Sequence, residues 1–140
     1  MAKGRCLCGA IEFDVDLIPE KTFNCHCSRC RRAHGAAFAT QVFAKGDTFK
    51  FVKGEDKISE FKDRPGIRAF CSECGSRLMN YLPRKSRYLS IALACLVDDE
   101  NSHHIQVAPV ANVYVGSKAA WFSPGDDIPA FDELPEGVFD

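Results

Sequence analysis

The stretch Ile11-Glu12-Phe13-Asp14-Val15-Asp16 alternates apolar and acidic residues without a break, the pattern of a strand with one face buried and the other in water. Short runs rich in aromatic and β-branched residues follow at Phe38 to Phe43, Phe49 to Val52, Ile58 to Phe61, Ile67 to Phe70, Leu78 to Leu82, Tyr88 to Leu93 and His104 to Val107. Gly46-Asp47, Lys53-Gly54, Pro65-Gly66 and Pro83 punctuate them as turns. One short helix is predicted, Ser28 to His34, with Gly35 placed as its stop. The chain is therefore expected to be mainly β, and its last stretch, 123–140, to run extended over the surface, since Pro124, Pro129 and Pro135 stand there among acids.

Composition narrows this picture. A chain of 140 residues, 46% of them hydrophobic, can bury one core and divides poorly into two, so a single domain over residues 1–140 is expected. The net charge of -1 hides a gradient: residues 1 to 97 carry 17 Lys and Arg against 10 acids, and residues 98 to 140 one Lys against nine acids. The basic clusters lack interleaved aromatics and the acidic end would repel phosphates, so no nucleic-acid partner is expected. Leu89 to Val97 is about half the ~20 residues that a spanning helix needs, and no apolar stretch follows the basic start, so neither a membrane segment nor a secretory signal is expected. A cytoplasmic protein is the resulting expectation; the oligomeric state stays open.

Cysteine usage changes the picture most. Eight cysteines without an export signal point to thiols kept for metal or catalysis rather than for disulfides. Seven of them form three clusters: Cys6-Leu7-Cys8, Cys25-His26-Cys27-Ser28-Arg29-Cys30 and Cys71-Ser72-Glu73-Cys74. Residues two apart on an extended segment project to the same side, and a Cys-x-x-Cys turn brings its two sulfurs together, so each cluster can offer several thiolates to one ion. If Cys6, Cys8, Cys71 and Cys74 share a site, they complete the four ligands of a closed structural zinc. Cys25, Cys27 and Cys30 then make three, the number typical of an open, catalytic zinc, unless His26 or His34 completes the shell. Spacing alone also allows other partitions, an iron–sulfur cluster, or a redox pair at Cys71 and Cys74. Cys95 stands in an apolar run and is expected to be a buried core thiol.

The clusters and their surroundings resemble one family closely. Gly4, Cys6, Cys8, Gly9 and Phe13, then Cys25, His26, Cys27, Cys30 and Arg31 with Gly35 and Phe38, then Phe70, Cys71, Cys74 and Gly75 match the motifs of the glutathione-dependent formaldehyde-activating enzymes, which share a domain with centromere protein V. Ser117-Lys118-Ala119, Trp121, Asp127, Pro129 and Phe131 resemble the family's closing signature. The resemblance implies an Mss4-like β-tent of small antiparallel sheets with one short helix, stapled by zinc on Cys6, Cys8, Cys71 and Cys74. It also implies a second zinc on Cys25, Cys27 and Cys30, the catalytic group, whose open position takes the sulfur of glutathione as cosubstrate; three thiolates temper the acidity of such an ion and favour reversible exchange, so it is expected to be labile.

The activity so implied is that of a carbon–sulfur lyase or synthase acting on the adduct of glutathione with a small electrophile such as formaldehyde. Two rivals belong to other classes: a non-catalytic glutathione or thiol carrier, and a zinc-stapled interaction module. Glutathione carries carboxylates, and Arg31 and Arg32 beside the open site are the candidates to bind them, with Arg29 and the cluster Arg84, Lys85 and Arg87 nearby in charge or sequence. His26, between two ligands, is expected to face away from the metal and to pack.

Overall fold

The computed structural model describes residues 1–83, 87–97 and 107–138. The alternating stretch becomes strand β2, Glu12–Val15, with Phe13 and Val15 fully buried and Glu12 and Asp14 outward. It pairs with β1, Ala2–Arg5, on one side, and the resulting three-stranded sheet is completed on the other by β5, Lys50–Lys53. Strand β1 escapes the sequence pattern because Ala-Lys-Gly-Arg offers no apolar alternation. Its place depends on Gly4: a Cβ there would stand 2.2 Å from Phe13 Cζ.

The larger sheet has seven strands. They are β3, Leu17–Cys25; β4, Ala39–Lys45; β6, Ile58–Asp63; β7, Gly66–Cys71; β8, Arg77–Tyr81; β9, Tyr88–Ala92; and β10, Ala111–Val113, in the order β10-β3-β4-β9-β8-β7-β6. Strand β3 is missing from the sequence reading because Pro19-Glu20-Lys21 interrupts its apolar pattern. The sheet absorbs these residues as a register shift between Ile18 and Thr22, closed by the Thr22 hydroxyl donating to the Pro19 carbonyl at 2.7 Å. All pairs are antiparallel except β10 with β3, a departure from the wholly antiparallel sheets expected. A chain that returns only after a long excursion is free to enter in the same direction. The predicted strand at His104 to Val107 lies, but for Val107, outside the described residues.

The sheet buries both faces. On one, the small sheet supplies Ile11, Phe13 and Val15 against Val42, Ala44, Leu78 and Ile91; on the other, Phe23 and Phe43 meet Ala111, Val113 and Val138. Each fully buried Phe, Ile or Val contributes about 1.5–3 kcal/mol. The second face is covered by chain that sequence reasoning left as surface. Residues of the 123–138 stretch lie along β10, with Asn112 N–H donating to Pro129 O at 2.8 Å, Phe131 N–H to Asn112 O at 2.9 Å, and Val138 8% exposed.

Helix α1, Ser28–His34, ends at Gly35, whose φ of 60° and N–H bond to Arg31 O form the predicted stop. A second glycine, Gly54, closes the turn after β5 at φ 83°, and a Cβ there would stand 2.0 Å from the Ala10 carbonyl oxygen. Gly54→Ala is expected to cost about 2–4 kcal/mol, as clash adds to strain. Gly9→Ala, with a similar φ of 78° but open space around it, should cost only about 1–2 kcal/mol. Urea unfolding of the two variants checks this, and equal losses would refute the close approach at Gly54.

Candidate functional site

Each cysteine cluster is shaped by its backbone. Cys6 and Cys8 flank a tight turn after β1, in which Gly9 N–H donates to Cys6 O at 3.1 Å, and Cys71 opens a second turn in which Gly75 N–H donates to Cys71 O at 2.8 Å. The two turns face one another, and the sulfurs of Cys6, Cys8, Cys71 and Cys74 all lie within 4.8 Å of one another. Cys6 Sγ and Cys8 Sγ are 3.6 Å apart, and Cys8 Sγ and Cys71 Sγ 3.9 Å. Four sulfurs at 2.3 Å from a tetrahedral zinc would stand about 3.8 Å apart. The donor set therefore fits that ion in both chemistry and spacing.

Hydrogen bonds prepare these sulfurs for negative charge. Ile11 N–H reaches Cys6 Sγ at 3.3 Å and Glu73 N–H reaches Cys71 Sγ at 3.4 Å. The Ser76 hydroxyl, 3.2 Å from Cys74 Sγ, is the first cause holding the Cys74 thiol down to about 5, joined by the amides of Cys8 and Ser76. The same hydroxyl oxygen accepts from Leu7 N–H at 2.8 Å, tying the two turns together. The Ala10 amide pulls the Cys8 thiol down, but burial and its three sulfur neighbours push it up to about 11. Cys95 stands close by, half-buried, its thiol donating to Arg77 O at 2.8 Å; burial and the charge of Cys6 and Cys74 push it up to about 12.

The second group is local. Cys25 ends β3, Cys27 caps α1 and Cys30 lies in its first turn, so one strand-to-helix corner carries all three sulfurs to within 4.8 Å of one another. Cys27 Sγ accepts from Cys30 N–H at 3.2 Å. Hydrogen bonds from Cys25 and then Cys30, with the amides of Cys30 and Arg29, hold Cys27 down to about 2. Cys25 is driven up, first by its hydrogen bond to Cys27, then by Cys30 and by burial. A divalent ion bound by the three sulfurs would displace their protons. Three thiols of this spacing fit zinc as ligands and leave one of its four positions unfilled from this corner.

Arg68 of β7, unremarked in the sequence, places a cation beside this corner. Its guanidinium nitrogens stand 3.7 and 3.8 Å from Cys30 Sγ while Nε donates to Asp63 Oδ2 at 2.6 Å. Asp63 also pairs with Arg29. Both Asp63 and Arg68 have side chains 12% exposed. A charged residue inside the apolar strand run Ile67 to Phe70 was the available signal. Arg31 instead donates to the backbone carbonyls of His26 at 3.3 Å and Ser117 at 3.0 Å, and Arg32 is exposed on α1. Arg84, Lys85, His103 and His104 lie outside the described residues.

No histidine among the described residues joins either sulfur group. His26 is fully buried and faces away from the sulfurs, with Nε2 2.9 Å from Asn112 Oδ1 and its ring against Phe38 and Phe122. His34 is held below its usual range by burial and by Arg68 and Arg77. Trp121, which residue type alone assigns to the core, is 75% exposed.

The three-cysteine corner opens into a cavity of about 460 Å³, within the size range of small-molecule sites. Phe23, Phe43, Tyr88, Val113 and Leu134 wall it, and its floor is a row of residues in register across four strands: Phe43, Ser90, Asn80 and Arg68. Neither Arg31 nor Arg32 lines it, whereas Arg29, Asp63 and Arg68 do.

Comparison with known proteins fits this geometry. Residues 1–117 match the family model described as glutathione-dependent formaldehyde-activating enzyme. A Halomonas elongata protein with that description in its name is 36% identical over an aligned region covering 60% of this chain and 58% of the relative, so the match spans little more than half the relative's length. A crystal structure of a Rhodobacter sphaeroides protein superposes with a TM-score of 0.59 at 27% identity, over 75% of this chain and 96% of that one. No helix among the described residues is long and apolar enough to cross a membrane.

Proposed function

The chain belongs to the family of glutathione-dependent formaldehyde-activating enzymes, and from that premise we propose that it makes and breaks the carbon–sulfur bond of S-hydroxymethylglutathione. In the forming direction the sulfur of glutathione bonds to the carbonyl carbon and the thiol proton passes to the carbonyl oxygen; the lyase direction reverses both. The observation that supports this reading is the convergence of Cys25, Cys27 and Cys30 on a half-open cavity large enough for a tripeptide thiol.

A zinc ion held by Cys25, Cys27 and Cys30 would supply Lewis acidity and lower the pKa of a substrate thiol. The chain's own groups do the rest. Arg68 places positive charge beside Cys30 and so favours its thiolate over its thiol. Asp63 fixes the direction of that guanidinium through Nε. Phe23, Phe43 and Val113 line the approach with carbon and limit the water that can compete for the aldehyde. Cys6, Cys8, Cys71 and Cys74 would hold a second zinc that serves architecture alone.

Exchange spectroscopy by NMR on zinc-loaded protein with glutathione and formaldehyde at equilibrium tests the proposal. Interconversion of free thiol and adduct should run at least about 100-fold above the protein-free rate, the scale of a modest catalytic device. Uncatalysed exchange with glutathione still bound would make the protein a thiol carrier and end the enzymatic reading.

A further inference from the structure

The charge near the three sulfurs raises a question that the family reading leaves open. Glutathione is an anionic peptide, yet Arg29 and Arg68, the cations lining the 460 Å³ cavity beside them, share the carboxylate of Asp63, and Arg68 also faces Cys30. A second cavity, of about 670 Å³, continues from the first and shares Tyr81, Leu82, Tyr88 and Leu89 with it. Lys45 and Arg87 line this second cavity, with Asp47 the single carboxylate among its described lining residues. Both cations are exposed, Arg87 lies over the Tyr88 ring at 5.3 Å, and Lys21 lies 4.7 Å from the centre of the same ring. Tyr88 is thus ringed by positive charge at the end of the binding face away from the cysteines.

Between the two ends stand groups suited to an amide. Gln41 and Asn80 line the first cavity, and neither side chain hydrogen-bonds another described residue. Ser90, in register with Asn80, has a buried hydroxyl without a partner among the described residues. From sulfur corner to cationic end the order of chemistry is thiol, amide, carboxylate, the order met along an extended peptide thiol. On β4, Ala39 pairs with Cys25 and Lys45 closes the strand, a separation of about 20 Å at 3.3 Å per residue. An extended tripeptide spans roughly 10 Å, and the flexible lysine stem reaches back over much of the remainder.

We infer that Lys45 and Arg87 form a carboxylate subsite, so that this site selects an elongated anionic peptide thiol laid along β3, β4 and β9 with its sulfur at Cys25, Cys27 and Cys30. The inference rests on the glutathione reading above and adds the residues that give it specificity. Both side chains stand outside the two cores and away from the sulfurs, so their replacement leaves the fold and the metal ligands untouched.

Calorimetric titration of the zinc-loaded protein with glutathione and with its diethyl ester, which lacks both carboxylates, tests it. Glutathione should bind at least about ten-fold tighter than the ester at low salt, the scale of a charge-assisted contact. Lys45→Gln with Arg87→Gln should remove that preference by weakening glutathione and leaving the ester unchanged. Lys53→Gln, exposed on β5 and outside both cavities, should change neither. Wild-type protein that binds both forms equally, or a double variant that keeps the preference, overturns the inference and leaves the glutathione reading standing. Failure of the wild type to bind either form overturns both.

Discussion

Cys71→Ser is expected to leave the chain without a stable fold at 25 °C, because it removes one of the four sulfurs proposed to hold a structural zinc between the turn after β1 and the turn after β7. Cys71 is fully buried, and two of its three sulfur partners, Cys8 and Cys6, stand more than 60 residues away in sequence. A structural zinc supplies an apparent 10–16 kcal/mol of folding free energy in small domains, whereas whole domains are stable by only about 5–15 kcal/mol. Losing the site therefore exceeds what the apolar core can offset. Near-UV circular dichroism should lose its signal, and metal analysis should fall by at least one zinc per chain. Cys95→Ser, which removes a thiol outside both groups, should keep both signals; native spectra for Cys71→Ser would show that hydrophobic burial suffices.

The converse is expected of Cys27→Ser: a folded protein with one zinc fewer and exchange activity lowered by more than about 100-fold, beyond the loss seen for groups that only support ligands. The reason it stays folded is local. Cys27 caps α1 by accepting from the Cys30 amide, and a serine hydroxyl makes the same bond at one of the residue types most favoured in that position. The cap survives while the softer sulfur ligand is lost. Thermal unfolding within about 1 kcal/mol of wild type, two zinc ions reduced to one, and flat exchange kinetics are the three readouts. An unfolded variant would make both ions architectural, and full activity would move the chemistry away from this corner.

These two opposite expectations were largely legible before any coordinates, since close spacing on a strand end, a helix cap and a turn constrains where sulfur can go. The grouping of Cys6 with Cys71 was not legible from spacing alone, because pairing across such a separation is decided by the sheets between them. Strands with plain alternation, such as Glu12–Val15, were readable from their period. Leu17–Cys25 and Ala111–Val113 were not: one is broken by a proline that the sheet tolerates at a register shift, and the other is too short to carry a period. Arg68 and Asp63 lay hidden for a different reason. Their partnership exists only because β6 and β7 pair and bring both beside α1.

The unequal reach of the two sulfur groups also orders events during synthesis on the ribosome. The three-thiol corner is complete once residue 30 has emerged, whereas the four-thiol group waits for residue 74. If both take zinc, a nascent chain has the three-thiol corner to offer the metal 44 residues before the four-thiol group is complete.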